Sequence, residues 1–166
     1  MAALLAALAA RRNTVTALCT GNLEPSAPVP PSSSFVCPLF PPPVGWAKME
    51  ALGLRQHFSA PNIGGFGSDY CSNQLDDLSI DRAEFIRVAI RKAVASSHLS
   101  GAPRVVHFGD TPNDVRAALA AGALPVGLGT GAYTLAQLRA SAGGQHALFL
   151  DDLSDTAAVM TAIMAA

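Results

Sequence analysis

The chain has 166 residues, of which 50% are hydrophobic and 14% charged, and its formal net charge is −1 at pH 7. This length suits one domain with a single core. The near-neutral charge balance offers no basic surface for nucleic acid or anionic lipid, so we expect a small-molecule partner and neither nucleic acid nor membrane. Three cysteines, Cys19, Cys37 and Cys71, have no paired count and no C-x-x-C spacing. That pattern argues against a disulfide framework or a structural zinc site and favours a reducing compartment.

The first twenty-two residues predict a helix, a strand and a polar turn. Residues 1–12 are apolar and end in two arginines. Because the charges follow the apolar run, which is too short to span a membrane, we predict a helix and no signal or transmembrane segment. We therefore expect a protein of the cytoplasm or an organellar stroma. Residues 14–19 predict a strand, which Thr20, Gly21 and Asn22 close as a simple turn or as a phosphate-binding turn.

The next part of the chain alternates between regular and irregular segments. Residues 26–44 are rich in proline and serine and have no periodicity, which predicts a disordered insert. A helix follows and ends at Gly53. Residues 62–68 predict a short glycine-rich strand or loop, and residues 70–80 a second, irregular insert. An amphipathic helix then resumes at Asp81.

The most informative segment is a strand, a tight turn and a capped helix. Residues 105–108 predict a buried strand, and Thr111 and Pro112 are typical of the start of a helix. Asp110 and Asp114 are expected at the carboxyl end of this strand, where ligands collect in open α/β sheets. Two carboxylates at one rim predict a Mg²⁺ site. The alternative is structural, with Asp110 as a turn residue and Asp114 as the acid of a capping box.

The remaining sequence continues the alternation of strands and helices. Strands are predicted at 124–128 and 147–150, with a turn and helix between them, and a terminal helix at 154–164. The order predicts an α/β fold with a parallel sheet.

A second interpretation of this region is dinucleotide binding. Gly127, Gly129 and Ala132 have a G-x-G-x-x-A spacing, and Asp151 and Asp152 follow about twenty residues later. A glycine turn of this kind would hold pyrophosphate, and the acid would bind ribose. Because only one helix follows Asp152, the other strands of a nucleotide-binding half have no counterpart in the sequence.

Two motifs resemble a known family. GDTPND after an apolar run is similar to the last signature, GDxxxD, of the haloacid dehalogenase (HAD) superfamily of hydrolases, in its phosphoglycolate-phosphatase-like branch. LCTGNLEP resembles the second signature of the same family. The resemblance implies a three-layer Rossmann-like core and a small phosphorylated metabolite as substrate. It also implies phosphate binding by Thr20, Gly21, Asn22 and a basic residue, Arg82 or Lys48, and Mg²⁺ binding by Asp110 and Asp114.

One motif of that family is absent from this sequence. Members open with a strand ending in DxDGT, whose first aspartate attacks phosphorus, and no such motif occurs here. We therefore predict, over residues 1–166, an incomplete HAD-like core without its central strand, its nucleophile and its cap. The expected function is a weak or inactive phosphatase, or a noncatalytic phosphate-binding remnant. Two sheet edges would then open between the strand ending at Thr20 and the strand ending at Gly109, and favour self-association unless the halves pair directly.

Overall fold

The computed structural model describes residues 1–20, 44–60, 63–72, 77–96 and 102–166. Gly21, Asn22, residues 26–43 of the first predicted insert and residues 73–76 of the second lie outside the described residues. The strands are β1 (Leu18–Thr20), β2 (Gly64–Phe66), β3 (Val106–Gly109), β4 (Leu124–Leu128) and β5 (Leu148–Leu150). The helices are α1 (Ala2–Ala9), α2 (Val44–Ala51), α3 (Leu78–Ser96), α4 (Pro112–Ala120), α5 (Leu135–Ser141) and α6 (Thr156–Ala165), with a short 3-10 helix at Arg55–His57.

The strands form two parallel sheets. One contains β1 and β2, with Leu18 opposite Gly64, and the other has the order β3-β4-β5, with Val106 opposite Leu124. The predicted α/β fold with parallel strands is therefore confirmed. Within the described residues no strand ladder joins the two sheets, so the alternative in which the two halves pair directly is wrong. Self-association through the unpaired edges of the two sheets stays a prediction.

The three-stranded sheet has helices on both faces, as the three-layer prediction requires. On one face, α1 and α6 pack against the strands around Leu4 and Val126. On the other face, α4 and α5 enclose Val115 and Leu138, with Phe149 of β5 packed against them. Burying apolar side chains on both faces explains why strands with few polar residues are stable here. None of the helices in the described ranges is both long enough and apolar enough to cross a membrane.

Helix α3 connects the two sheets because it packs on β1 and β2 at one side and on α4 at the other. The approach to β2 is very close: a Cβ atom added to Gly65 would lie 1.8 Å from the backbone oxygen of Phe85. The thiol of Cys19 on β1 lies 3.9 Å from the same oxygen. Burial at this contact raises the pKa of Cys19 to about 12, so its thiol stays protonated at neutral pH.

The start of α3 differs from the sequence prediction. The helix begins at Leu78, and the prediction of an irregular segment up to residue 80 with a helix from Asp81 is wrong at this boundary. The reason is the side chain of Asp77, which accepts hydrogen bonds from the backbone N–H (3.0 Å) and hydroxyl (2.6 Å) of Ser79. These bonds lower the pKa of Asp77 and satisfy a free N–H of the first turn.

Candidate functional site

The N-terminus of α4 is built on a reciprocal capping box directly after β3. The carboxylate Oδ2 of Asp114 accepts hydrogen bonds from the backbone N–H (3.1 Å) and the hydroxyl (2.8 Å) of Thr111. The backbone N–H of Asp114 donates in turn to Thr111 Oγ1 at 3.2 Å, and Pro112 occupies the first turn. The sequence prediction of a helix start at Thr111 and Pro112 is therefore confirmed.

Gly109, the last residue of β3, allows Asp114 to fold back over the end of the strand. A Cβ atom at Gly109 would lie 2.2 Å from the Cβ of Asp114. A side chain at this position would displace the carboxylate from the capping box. The glycine is thus required by the close approach of Asp114 to the strand.

An ion pair connects α3 to α4 at the same rim. The guanidinium Nη1 of Arg82 donates to Oδ1 of Asp114. The Asp114 side chain is 12% exposed and the Arg82 side chain 38% exposed, so the pair is shielded at its acidic end and open to solvent at its basic end. Asp114 therefore receives three donors, two from Thr111 on Oδ2 and one from Arg82 on Oδ1. Charge-assisted contacts of this kind are stronger than neutral ones.

His107 is a further titratable group at this rim, and the sequence predicted it only as part of a strand. It is half-buried on β3. Burial lowers its pKa, the Asp114 carboxylate opposes this effect, and the Arg82 guanidinium adds to it. The net direction keeps the imidazole neutral at pH 7. A histidine inside an apolar strand was the only sequence signal, and such a residue is more often part of the core than of a site.

Asp110, the other predicted Mg²⁺ ligand, has a different environment from Asp114. It is exposed immediately after β3. Its carboxylate lies against the loop that follows β4, because a Cβ atom at Gly131 would be 2.5 Å from Oδ2 of Asp110. Both acids follow β3, but Asp110 faces Gly131 whereas Asp114 binds Thr111 and Arg82. No cluster of three or more histidine, cysteine, aspartate or glutamate side chains suited to a metal ion occurs within the described ranges.

Two of the remaining predicted phosphate-binding residues are described by the structure, Thr20 on β1 of the smaller sheet and Lys48 on α2. Thr20 is half-buried at the end of β1, and its methyl group is 3.1 Å from where a Cβ of Gly45 would be. Lys48 is exposed on α2. Helix α3, which carries Arg82, contacts both β1 and α4. The structure therefore joins Arg82 directly to Asp114, whereas Thr20 is connected to them through α3.

The glycines of the dinucleotide interpretation do not form a phosphate-binding turn. Gly127 lies inside β4, where a Cβ would be 2.8 Å from the ring of Phe149, so it serves packing between strands. Helix α5 begins only at Leu135, after the capping residue Thr134. Pyrophosphate binding requires the glycine turn to lead directly into a helix N-terminus, and this geometry is absent from β4 to α5.

A family model matches the region of the chain that contains this rim. No curated protein matches the chain. Residues 82–156 match the family model described as HAD-hydrolase-like. The matched segment begins at Arg82 and includes Asp110, Asp114 and all three strands of the larger sheet, but neither Thr20 nor Lys48. The match supports the HAD superfamily of hydrolases, which the GDTPND motif predicted, for residues 82–156.

Proposed function

We propose that this chain binds small phosphomonoesters at the rim formed by Arg82 and the N-terminal turn of α4, and that it hydrolyses them slowly or not at all. The observation that carries the proposal is the guanidinium of Arg82, held beside the first turn of α4 inside the HAD-like segment. A guanidinium has five N–H donors in a planar fork that matches phosphate oxygens. One nitrogen of Arg82 binds Asp114, and the side chain is 38% exposed, which leaves donors that can reach a ligand.

The ligand class follows from the motifs. LCTGNLEP and GDTPND resemble the phosphoglycolate-phosphatase-like branch, so we propose small phosphorylated acids of the phosphoglycolate type. The dipole of α4 favours a negative charge at the N-terminus of the helix, where Pro112 has no N–H and the N–H groups of Thr111 and Asp114 are used in the capping box. The proposal also keeps Thr20 at the end of β1 and the next two residues in the sequence, Gly21 and Asn22. Lys48 on α2 is the alternative basic residue.

Weak or absent turnover follows from the carboxylates available at this rim. A covalent phosphoryl transfer needs a free carboxylate aligned with the phosphorus atom. Both oxygens of Asp114 accept hydrogen bonds, and Asp110 lies against the loop containing Gly131. The sequence has no DxDGT motif to supply another nucleophile. Loss of a catalytic nucleophile typically lowers turnover by about 10⁶-fold.

The test is hydrolysis of p-nitrophenyl phosphate with millimolar Mg²⁺, paired with binding measured by isothermal titration. We expect binding that Arg82→Gln weakens at least several-fold, and release of p-nitrophenol no faster than from protein-free buffer. Asp152→Asn is the matched control because this acid is exposed in a turn after β5. Turnover abolished by Asp110→Asn would show an active phosphatase. Equal binding by the wild type and Arg82→Gln would disprove the role of the guanidinium.

A further inference from the structure

The positive charge that balances the carboxylate of Asp114 belongs to another side chain of this protein. Its side chain is 12% exposed, and Arg82 Nη1 donates to Oδ1 while Thr111 saturates Oδ2 with two donors. A shielded carboxylate is stable only when its charge is balanced and its oxygens are hydrogen-bonded. The contacts with Arg82 and Thr111 meet both requirements. The Asp114 carboxylate therefore has one cationic partner and two further hydrogen-bond donors, all from side chains and backbone of this chain.

These contacts do not fit a Mg²⁺ ion, although the HAD superfamily generally uses one. Mg²⁺ requires oxygen ligands in near-octahedral geometry at about 2.0–2.1 Å. At Asp114 the Oδ1 position that a metal would approach is taken by a cationic guanidinium, which repels a second cation. Oδ2 already accepts hydrogen bonds in the capping box of α4. Asp110 adds a single exposed carboxylate that lies against Gly131.

We infer that Asp114 pairs with Arg82 in place of a divalent cation and is a positioning residue for the guanidinium. If this pairing holds, phosphate binding at this rim needs no metal. That consequence rests on the proposed function, whereas the pairing of Asp114 with Arg82 is independent of it. A Mg²⁺ ion at Asp114 would have to bind beside the Arg82 guanidinium, which repels it, or displace that guanidinium and break a contact between α3 and α4.

The first test is titration with Mn²⁺, which occupies Mg²⁺ sites and is detected by water-proton relaxation. We expect the wild type, Asp114→Asn and Asp152→Asn to give superimposable curves without a saturable site. The asparagine keeps one acceptor oxygen for the capping bonds, removes the charge and replaces the second acceptor oxygen with an NH2 group. A saturable site in the wild type that Asp114→Asn loses and Asp152→Asn retains would overturn the inference. This measurement involves no phosphate, so it fails or succeeds independently of the proposed function.

The second test is a double-mutant cycle of melting temperatures in EDTA. Arg82→Gln leaves a shielded carboxylate without its partner, so we expect it to lower the melting temperature by about 2–4 °C, with partial rescue in Arg82→Lys. Adding Asp114→Asn to Arg82→Gln should cause no further loss, because the unpaired charge has gone. Strictly additive losses, or a wild-type melting temperature that millimolar Mg²⁺ raises, would contradict the pairing.

The third measurement joins the two proposals. Inorganic phosphate should bind the wild type with the same affinity in EDTA and in millimolar Mg²⁺. Binding that appears only with Mg²⁺ would refute metal independence while leaving the proposed phosphate site intact. No binding in either buffer would refute the proposed function, while the Mn²⁺ titration and the double-mutant cycle would still decide the pairing of Asp114 with Arg82.

Discussion

The two sheets differ in how much of their stability comes from contacts between residues that are close in sequence. The β3-β4-β5 sheet has helices on both faces, and two of these helices, α4 and α5, begin with complete capping boxes. The β1-β2 sheet has strands of three residues, two of its six positions are glycine, and α3 provides its closest packing. The Trp46 ring of α2 packs on Phe66 of β2, and its buried indole Nε1 has no hydrogen-bond partner among the described residues.

This difference shows which sheet has a structure that follows from its own local sequence. Caps, apolar periodicity and strand composition agree with one another throughout the larger sheet, and such agreement favours a single structure. The smaller sheet depends on a tertiary contact, the close approach of Gly65 to Phe85. The proposed site lies where α3 links the two regions, so its geometry depends on both.

The largest expected effect tests this dependence. Gly65→Ala would place a Cβ 1.8 Å from the backbone oxygen of Phe85, and neither backbone can move without separating α3 from β2. We expect a loss of about 3 kcal/mol or more in the free energy of unfolding, the upper end of the range for overpacking. Gly122→Ala is the control: φ is +74° there and nothing lies within 4 Å, so only backbone strain of about 1 kcal/mol is expected. Urea unfolding that ranks Gly122→Ala as the more damaging change would refute this dependence on α3.

A smaller effect compares the two capping boxes of the larger sheet. Thr111→Ala and Thr134→Ala each remove an N-cap hydroxyl, which typically costs about 1 kcal/mol. The loss should be greater for Thr111, because its hydroxyl also donates to the charged, shielded Asp114, whereas Thr134 donates to the neutral Gln137 at an exposed site. Urea midpoints measured side by side decide this order. Equal losses would mean that the charge of Asp114 adds nothing to its cap.

The smallest expected effect is a pH dependence that arises in the larger sheet. Burial lowers the pKa of His107 in the folded chain, so the unfolded chain binds its proton more readily. The stability contributed by neutral His107 is present above about pH 6.5 and falls as the pH drops through the lower folded pKa. The carboxyl groups with lowered pKa values, Asp77, Glu84 and Asp152, titrate in a more acidic range.

Melting temperatures between pH 7.5 and pH 5 test whether protonation of His107 lowers the stability of the fold. The decline in this window should be reduced in His107→Gln and unchanged in His146→Gln, since His146 is exposed before β5. A wild type whose stability rises on acidification would show that the carboxylate of Asp114, rather than burial, dominates the environment of His107.

The sequence predicted the larger sheet well because its signals are local. The start of α4 at Thr111 and Pro112 and the bounds of β4 follow from side chains next to one another in the chain. The start of α3 was predicted three residues too late, because Asp77 caps it from within a segment that has no periodicity. Within the amphipathic helix α3, Val94 is 49% exposed although it is apolar, whereas Ala83, Ile86 and Ala93 are buried.

The candidate site was predictable as a set of residues but not as a set of contacts. Asp110 and Asp114 follow one strand, and the capping box of Asp114 with Thr111 was one of the two interpretations of the sequence. The ion pair of Asp114 and the contact of Asp110 with Gly131 instead depend on elements distant in sequence. Arg82 lies 32 residues before Asp114, and no spacing rule indicates that its guanidinium would pair with that carboxylate. The environment of His107 could not be predicted from the sequence either, since it depends on how α3 and α4 pack over β3.

The most direct test of the central claim is titration of the ¹⁵N-labelled chain with inorganic phosphate in EDTA, followed by amide chemical shifts. We predict saturable shifts concentrated at Arg82 and residues 110–114, unchanged when Mg²⁺ replaces EDTA and requiring at least several-fold more phosphate in Arg82→Gln. Shifts that are absent in EDTA and appear only with Mg²⁺, or that saturate at the same phosphate concentration in Arg82→Gln, would contradict a metal-independent phosphate site built on Arg82 and Asp114.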